Sequence, residues 1–292
     1  MTRIRPIAAT FLLGAVAHAP IVLCHPATAQ AAGQKTFATT KEAEIALIDA
    51  LKSGDETGLK AVIGPDTDKV LHSGDPVADQ AGITHFLKSY EEHHKLVPFV
   101  DKEQVLEVGA DHWQMPIPLV SANGSFYWDG AAGEQEVLYR RIGHNELSAI
   151  QACKGIVAAQ KDYASGSYDG IPAGTYAKRL VSEPGKHNGL YWPVADGETP
   201  SPAGPMLADA ASEGYDTSGK RTPYHGYYYH IISTDKGFGL VAYPADYRTS
   251  GVTTFFTNES GVIYQKDLGA NTADTARQLS FHTPDSTWKR VK

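Results

Sequence analysis

The sequence predicts an α+β protein made of two modules joined by a long helical segment. Three observations lead there. Apolar residues recur with helical spacing over residues 39–90, between clear caps. An Asn123-Gly124 pair sits between two strand-like runs, a strong tight-hairpin signal. From residue 226 onward, four β-branched and aromatic runs alternate with short turns, which reads as an antiparallel meander. The expected organisation is a leader over residues 1–31, an N-terminal α+β module over 36–132, connecting helices over 133–183 and a β-meander module over 184–292.

The elements follow in chain order. Thr39 caps the first helix, and Glu42 completes a capping box. Ala43, Ala46, Leu47, Ala50 and Leu51 share its buried face, and Gly54 stops it. Leu59, Val62 and Ile63 mark a short second helix ending at Gly64. Asp75-Pro76 is a cap with proline at the first helical position, and Val77, Ile83, Phe86, Leu87 and Tyr90 form the apolar side of a third helix. Strands are expected over 104–108, 113–120 and 125–128, with Pro116 and Pro118 confining the middle one to an edge or a bulge. Residues 134–180 read as mainly helical with an interruption at 166–174, and Leu147, Ile150, Cys153, Ile156 and Val157 make the stripe that clamps a sheet. The Gly- and Pro-dense stretch 184–205 reads as an ordered loop docked on the meander, because Leu190, Tyr191 and Trp192 need burial. A short helix follows at 206–212, then strands at 226–233, 238–243, 252–257 and 262–268, then a closing helix at 271–279.

Arg3 and Arg5 lead an apolar run that ends in Ala29-Gln30-Ala31, the pattern of a secretory signal peptide. The expected location is therefore periplasmic or secreted. Anchoring as a lipoprotein through Cys24 is the alternative, disfavoured because bulky Leu23 precedes the cysteine. No later stretch reaches the roughly 18 apolar residues of a membrane span. Losing Arg3 and Arg5 moves the net charge from −7 to −9, which argues against nucleic acid as a partner. Cys153, the cysteine left after processing, reads as a buried, inert thiol.

No motif of high chemical specificity is present, so neither a catalytic set nor a metal or other cofactor is expected. Glu91-Glu92-His93-His94 is the densest histidine cluster, but adjacent helical residues point about 100° apart and the His-Glu-x-x-His spacing is missing. Ser165-Gly-Ser167-Tyr-Asp169-Gly170 has the outline of a calcium loop with serines where acids belong, and reads as a plain turn. There is no Gly-x-Ser-x-Gly elbow, phosphate loop or dinucleotide fingerprint. Glu134 and Glu136 have types suited to glycoside hydrolysis, a role that spatial separation decides. Arg140 and Arg141, near Glu146, read as structural ion pairs on the long helix.

A set of short motifs runs along the chain: Ser73-Gly-Asp-Pro-Val-Ala-Asp79, Arg140-Arg-Ile-Gly143 with Asn145-Glu146-Leu147, Pro184-Gly-Lys186, Gly189-Leu-Tyr-Trp-Pro193, Ser201-Pro202 with Gly204-Pro205, and Tyr224-His-Gly-Tyr-Tyr228. Together they resemble the bacterial domain-of-unknown-function family 2950, over nearly all of the processed chain. That resemblance implies an exported protein without an assigned activity. The opening order of helices and strands is similar to cystatin-like and nuclear-transport-factor-2-like folds, in which a curved antiparallel sheet wraps a helix and leaves room for a pocket. The last four strands, with the corner Ala242-Tyr243-Pro244, resemble the sheet of type IV pilin-like and pseudopilin-like domains. No pilin helix or prepilin peptidase site accompanies them, so pilus assembly is not implied.

Aromatic residues are the remaining signal. Tyr191, Trp192, Tyr224, His225 and Tyr228 are the candidate ligand- or partner-binding residues. Alternation puts Tyr227 and Tyr229 on one strand face and Tyr228 on the other; one set is core, and the other suits a carbohydrate or peptide platform. The expected function is that of an exported envelope protein, a non-enzymatic module that binds an envelope protein or polymer. The alternatives are an envelope-polymer hydrolase and a small-ligand or lipid carrier, each using a pocket in the N-terminal module.

Overall fold

The computed structural model describes residues 31–100, 103–195, 197–216, 218, 221–234, 237–280 and 284–292. Residues 1–30 of the expected leader, Cys24 among them, lie outside the described residues. Helices α1 (Thr40–Ser53), α2 (Glu56–Ile63), α3 (Asp68–Leu71) and α4 (Pro76–Glu92) open the chain. The Thr39 hydroxyl accepts from the Glu42 amide at 3.1 Å, and the Glu42 carboxylate accepts from the Ala38 amide at 3.1 Å. The Asp75 carboxylate accepts from the Ala78 amide, ahead of Pro76. Both N-cap side chains accept as their sequence patterns require, while Glu42 reaches back to the amide before the cap instead of that of Thr39 itself.

Strands β1 (His94–Pro98), β2 (Gln104–Val108), β3 (Trp113–Gln114), β4 (Leu119–Ala122) and β5 (Ser125–Trp128) form an antiparallel sheet of order β1-β2-β4-β5, with β3 on β2. Two features depart from expectation. The strand expected over 113–120 is two pieces, because Pro116 and Pro118 lack the amides a continuous ladder needs. The chain also enters the sheet earlier than expected: His93 caps α4 at φ −156° and His94 begins β1, a strand not among those expected. Leu47, Val62, Ile63, Leu106, Leu119 and Trp128 fill the space between helices and sheet, and the buried Trp128 indole donates to the Ala43 carbonyl at 2.9 Å.

The 36-residue helix α5 (Gly130–Ser165) is about 54 Å long at the usual rise and serves both modules. Its start requires glycine. A Cβ on Gly130 would lie 2.4 Å from the Ile63 carbonyl oxygen, and one on Gly133 would lie 2.8 Å from that of Pro116. Its second half presents Ala149, Cys153, Ile156, Val157 and Tyr163 to the C-terminal core. Leu147, expected in that stripe, is 66% exposed; it lies on the opposite side of the helix. The helix ends at Ser165, and residues 166–180 are irregular instead of helical. Asp169 and Gly170, at φ 48° and 81°, make a turn bridging Tyr168 and Ile171. Beyond it, the fully buried Gln160 side chain takes both the amide and the carbonyl of Ala177, so those groups are not free to continue a helix.

Helix α6 (Gly204–Ser212) precedes a sheet of order β10-β9-β8-β7-β6, antiparallel throughout: β6 (Tyr227–Thr234), β7 (Gly237–Pro244), β8 (Thr253–Asn258), β9 (Tyr264–Asp267) and β10 (Lys289–Arg290). Helix α7 (Thr272–Gln278) covers the face opposite α5. The β7 strand is buried along its whole length, with Phe238, Leu240 and Ala242 toward α5 and Val241 and Tyr243 toward α7. Among the described residues, no helix is long and apolar enough to cross a membrane.

Candidate functional site: an open strand edge beside an aromatic cavity

The site begins at a tight turn. His225 and Gly226 have φ of 49° and 72°, and Tyr224 and Tyr227 exchange both backbone hydrogen bonds, at 2.8 and 3.2 Å. These are the features of a primed two-residue turn, which needs left-handed backbone at both central positions. The turn uses up the outer amide and carbonyl of Tyr227. In an antiparallel ladder the bonding direction alternates along a strand, so Tyr229, Ile231 and Ser233 also point their amides and carbonyls away from β7. Among the described residues, no hydrogen bond reaches those three outward pairs.

Beside this edge lies a cavity of about 660 Å³, within the size range of ligand sites. Ala152 and Ile156 of α5 form its floor, and Met206, Leu207 and Ala210 of α6 one wall. Residues 178–184 form the far wall, an extended segment held by Leu190 and Tyr191 amides donating to the Arg179 and Leu180 carbonyls at 3.1 and 2.9 Å. Tyr224, Tyr228 and Tyr229 line the strand side. Burial first, then the Glu213 and Asp209 carboxylates, push the Tyr224 phenol up to about 12. Burial also raises Tyr229 well above the ordinary phenol value. Burial thus favours the neutral phenol at both positions. Arg221 lies 4.8 Å over the Tyr228 ring. Among the described residues, neither Arg221 nor Lys178 has a salt-bridge partner, whereas Glu183 on the same lining is matched by Arg179 and Lys186 at 2.8 and 2.5 Å.

Behind the turn, a polar cluster ties the modules together. The Asp75 carboxylate, 1% exposed, accepts from the Gly226 amide at 2.8 Å and the Tyr215 hydroxyl at 3.0 Å. Tyr215 in turn accepts from the His225 amide. His225 Nε2 lies 3.2 Å from Glu213. Burial and then His144 hold that imidazole below its usual range, with Asp75 opposing. Burial, Asp209 and Asp75 hold the Glu213 carboxyl above its usual range. The Asn145 amide donates to the Ser250 carbonyl, and Glu146 accepts from the Val252 and Thr253 amides at 3.2 and 3.0 Å. Glu146 thus clamps the sheet and leaves the neighbouring arginines alone: Arg140 pairs with Glu136, and Arg141 donates to the Lys69 and Val70 carbonyls.

The five candidate residues divide. Tyr224 and Tyr228 line the cavity, and His225 sits behind Tyr224 in the turn. Tyr191 bridges Val181 on the outer side of the 178–184 segment. Trp192 packs on Tyr168 and His187, with ring centroids at 5.1 and 4.6 Å, at the far end of α5. Of the Leu190–Trp192 loop, only Leu190 enters the core fully; Tyr191 and Trp192 pack against it half-buried. The residues not foreseen are Ile231 and Ser233, whose backbone matters, and the cations Lys178 and Arg221.

Fold and site define an α+β protein of N-terminal helices, a long central helix and a C-terminal antiparallel sheet, with an unpaired strand edge over an aromatic cavity. A model of the family described as protein of unknown function (DUF2950) matches residues 34–236 and 234–291, and the chain belongs to that family. No curated protein and no solved structure matches the chain.

Proposed function

We propose that this is a non-enzymatic binding module, exported to the cell envelope, that captures an extended polypeptide segment by adding it as a strand to β6. The observation that carries this is the run of outward backbone pairs at Tyr229, Ile231 and Ser233 beside a cavity of about 660 Å³. An added strand satisfies those groups, and its alternating side chains enter the space beside α5 and α6. Unsatisfied strand edges of this length are usually shielded in proteins. The lining carries three cations, Lys178, Arg179 and Arg221, against two carboxylates, Glu183 and Asp216, on a chain of net charge −7, and this local excess favours an acidic segment. The hydrolase alternative is weaker, because the one histidine–carboxylate pair of this region, His225 and Glu213, is not part of the cavity lining. The carrier alternative is weaker too, because apolar side chains fill the N-terminal module between its helices and sheet. The cystatin-like and pilin-like readings enter only as architecture, a helix-backed sheet and a meander with an open edge.

A library of ten-residue peptides displayed on phage tests this against the purified chain. Selected peptides should be acidic. They should slow amide hydrogen exchange at Tyr229, Ile231 and Ser233, while Tyr228, His230 and Ile232 are already protected by β7. Binders that leave the outward amides exchanging freely, or a selection that yields none, would refute strand addition.

A further inference from the structure

We infer that His93, Glu107 and His112 form a binding site for a first-row divalent transition cation, zinc foremost. The three come from separate places: the end of α4, strand β2 and the turn after it. The Gly109 amide donates to the Ser89 and His93 carbonyls at 3.1 and 3.0 Å, strapping that turn onto the helix end. His112 then adopts φ 56°, a left-handed conformation uncommon for a residue with a side chain. It aims Nδ1 at Glu107 Oε1, 3.0 Å away, while His93 Nε2 approaches the same oxygen to 3.9 Å. All three ligand atoms lie within 4.8 Å of one another. Ligands about 2.0–2.1 Å from a tetrahedral zinc ion lie about 3.3 Å apart, so small side-chain rotations close the set.

A second observation points to a cation. His93 Nε2 is buried and has no hydrogen-bond partner, although buried polar atoms are normally satisfied. A metal bound to that nitrogen and to Glu107 would satisfy it. Two imidazoles and one carboxylate suit zinc and its neighbours, not calcium or magnesium, which take all-oxygen shells. Three protein ligands leave a fourth position for water or an outside ligand. His94 is not part of the set: it opens β1 and stacks on the Tyr90 ring at 3.9 Å. The site arises because His93 finds partners far along the chain. A comparable group, Glu56, Asp68 and His72, carries no such inference, because the Lys60 ammonium already occupies it at 2.7 and 2.6 Å from the two carboxylates.

The test uses the untagged full chain, stripped with a chelator and titrated with zinc chloride by calorimetry and with cobalt chloride by visible absorption. One zinc per chain should bind, with a Kd on the order of micromolar or tighter, and cobalt should show the intense bands of a four-coordinate site. His112→Gly, which keeps the left-handed backbone, and Glu107→Gln should each weaken zinc roughly tenfold or more, and His72→Ala should change nothing. Zinc should raise the melting temperature of the parent and not of His112→Gly. No saturable binding below millimolar zinc, or binding that survives His112→Gly or is lost in His72→Ala, would overturn the assignment.

Discussion

Replacing Asp75 should loosen the joint between the two modules. Its carboxylate serves three donors at once: the Ala78 amide of the α4 cap at 3.2 Å, the Gly226 amide at 2.8 Å and the Tyr215 hydroxyl at 3.0 Å. Loss of a helix cap costs about 1 kcal/mol. Each buried donor deprived of a charged acceptor costs roughly 1.5–3 kcal/mol. Asp75→Ala should therefore lose about 4–6 kcal/mol, allowing for partial resolvation of the Gly226 amide. Asp75→Asn keeps the volume and one acceptor oxygen and should lose about half as much. Urea unfolding followed by tryptophan fluorescence gives the free energies, with Trp128 reporting on the N-terminal core and Trp288 on the sheet face under α7. Asp274→Ala, which removes an exposed pairing with Arg277, is the control and should stay within about 0.5 kcal/mol of the parent. If Asp75→Ala costs less than about 1 kcal/mol, Asp75 is not the buried acceptor that joins the modules, and the reasoning from its three hydrogen bonds fails.

Other outcomes follow from the same structure. Leu190→Ala should cost about 2–5 kcal/mol because Leu190 is fully buried, and half-buried Trp192→Ala should cost less; equal losses in denaturant titrations would contradict this order. Cys153, fully buried with its thiol pushed up to about 12, should react with a thiol reagent only on unfolding; rapid labelling of native protein would be inconsistent with that burial. Burial holds His225 below its ordinary value of 6.5, so the unfolded chain binds more protons just below that pH and stability falls as pH drops. Thermal melts of His225→Asn, which tolerates left-handed backbone, should show a flatter dependence as the pH falls below about 6.5; an unchanged slope would assign it to other groups. Arg221→Glu should leave stability near the parent's but weaken acidic peptides selected against the β6 edge, as measured by calorimetry.

The elements most legible in the sequence are those that local physics alone determines. The Thr39 and Asp75 caps, the Asn123-Gly124 hairpin and the strands of the meander depend on residues within a few positions of one another. Failures occur where distant partners decide. Residues 175–180 have a helical composition, but Gln160 holds the backbone of Ala177. Leu147 completes an apolar spacing on paper, yet the sheet lies against the other side of α5. His93 reads only as one of two adjacent histidines without metal-ligand spacing, because Glu107 and His112 are brought to it by the turn at Gly109. The motif residues Asp75, Asn145, Glu146 and Gly226 lie far apart in the chain and meet at the module joint.

The binding edge shows the same limit more sharply. Strand periodicity gives the side-chain faces: Tyr227 and Tyr229 face the α5 core and Tyr228 faces the other side. It does not give the direction of the backbone groups, which depends on which neighbour a strand has and where pairing starts. Here the His225-Gly226 turn sets that phase. By engaging the outer groups of Tyr227, it commits Tyr229, Ile231 and Ser233 to the outer edge and the intervening residues to β7. The same turn is fastened from behind by Asp75 through the Gly226 amide. Its position therefore links the module joint to the recognition edge. A one-residue insertion between Gly226 and Tyr227 that slips β6 against β7 would turn the side-chain faces and the outward backbone set together, putting Tyr228 where Tyr227 and Tyr229 now pack against α5. Such an insertion should abolish peptide capture even in a variant that still folds, whereas an insertion in the exposed stretch near Glu198 should leave capture intact.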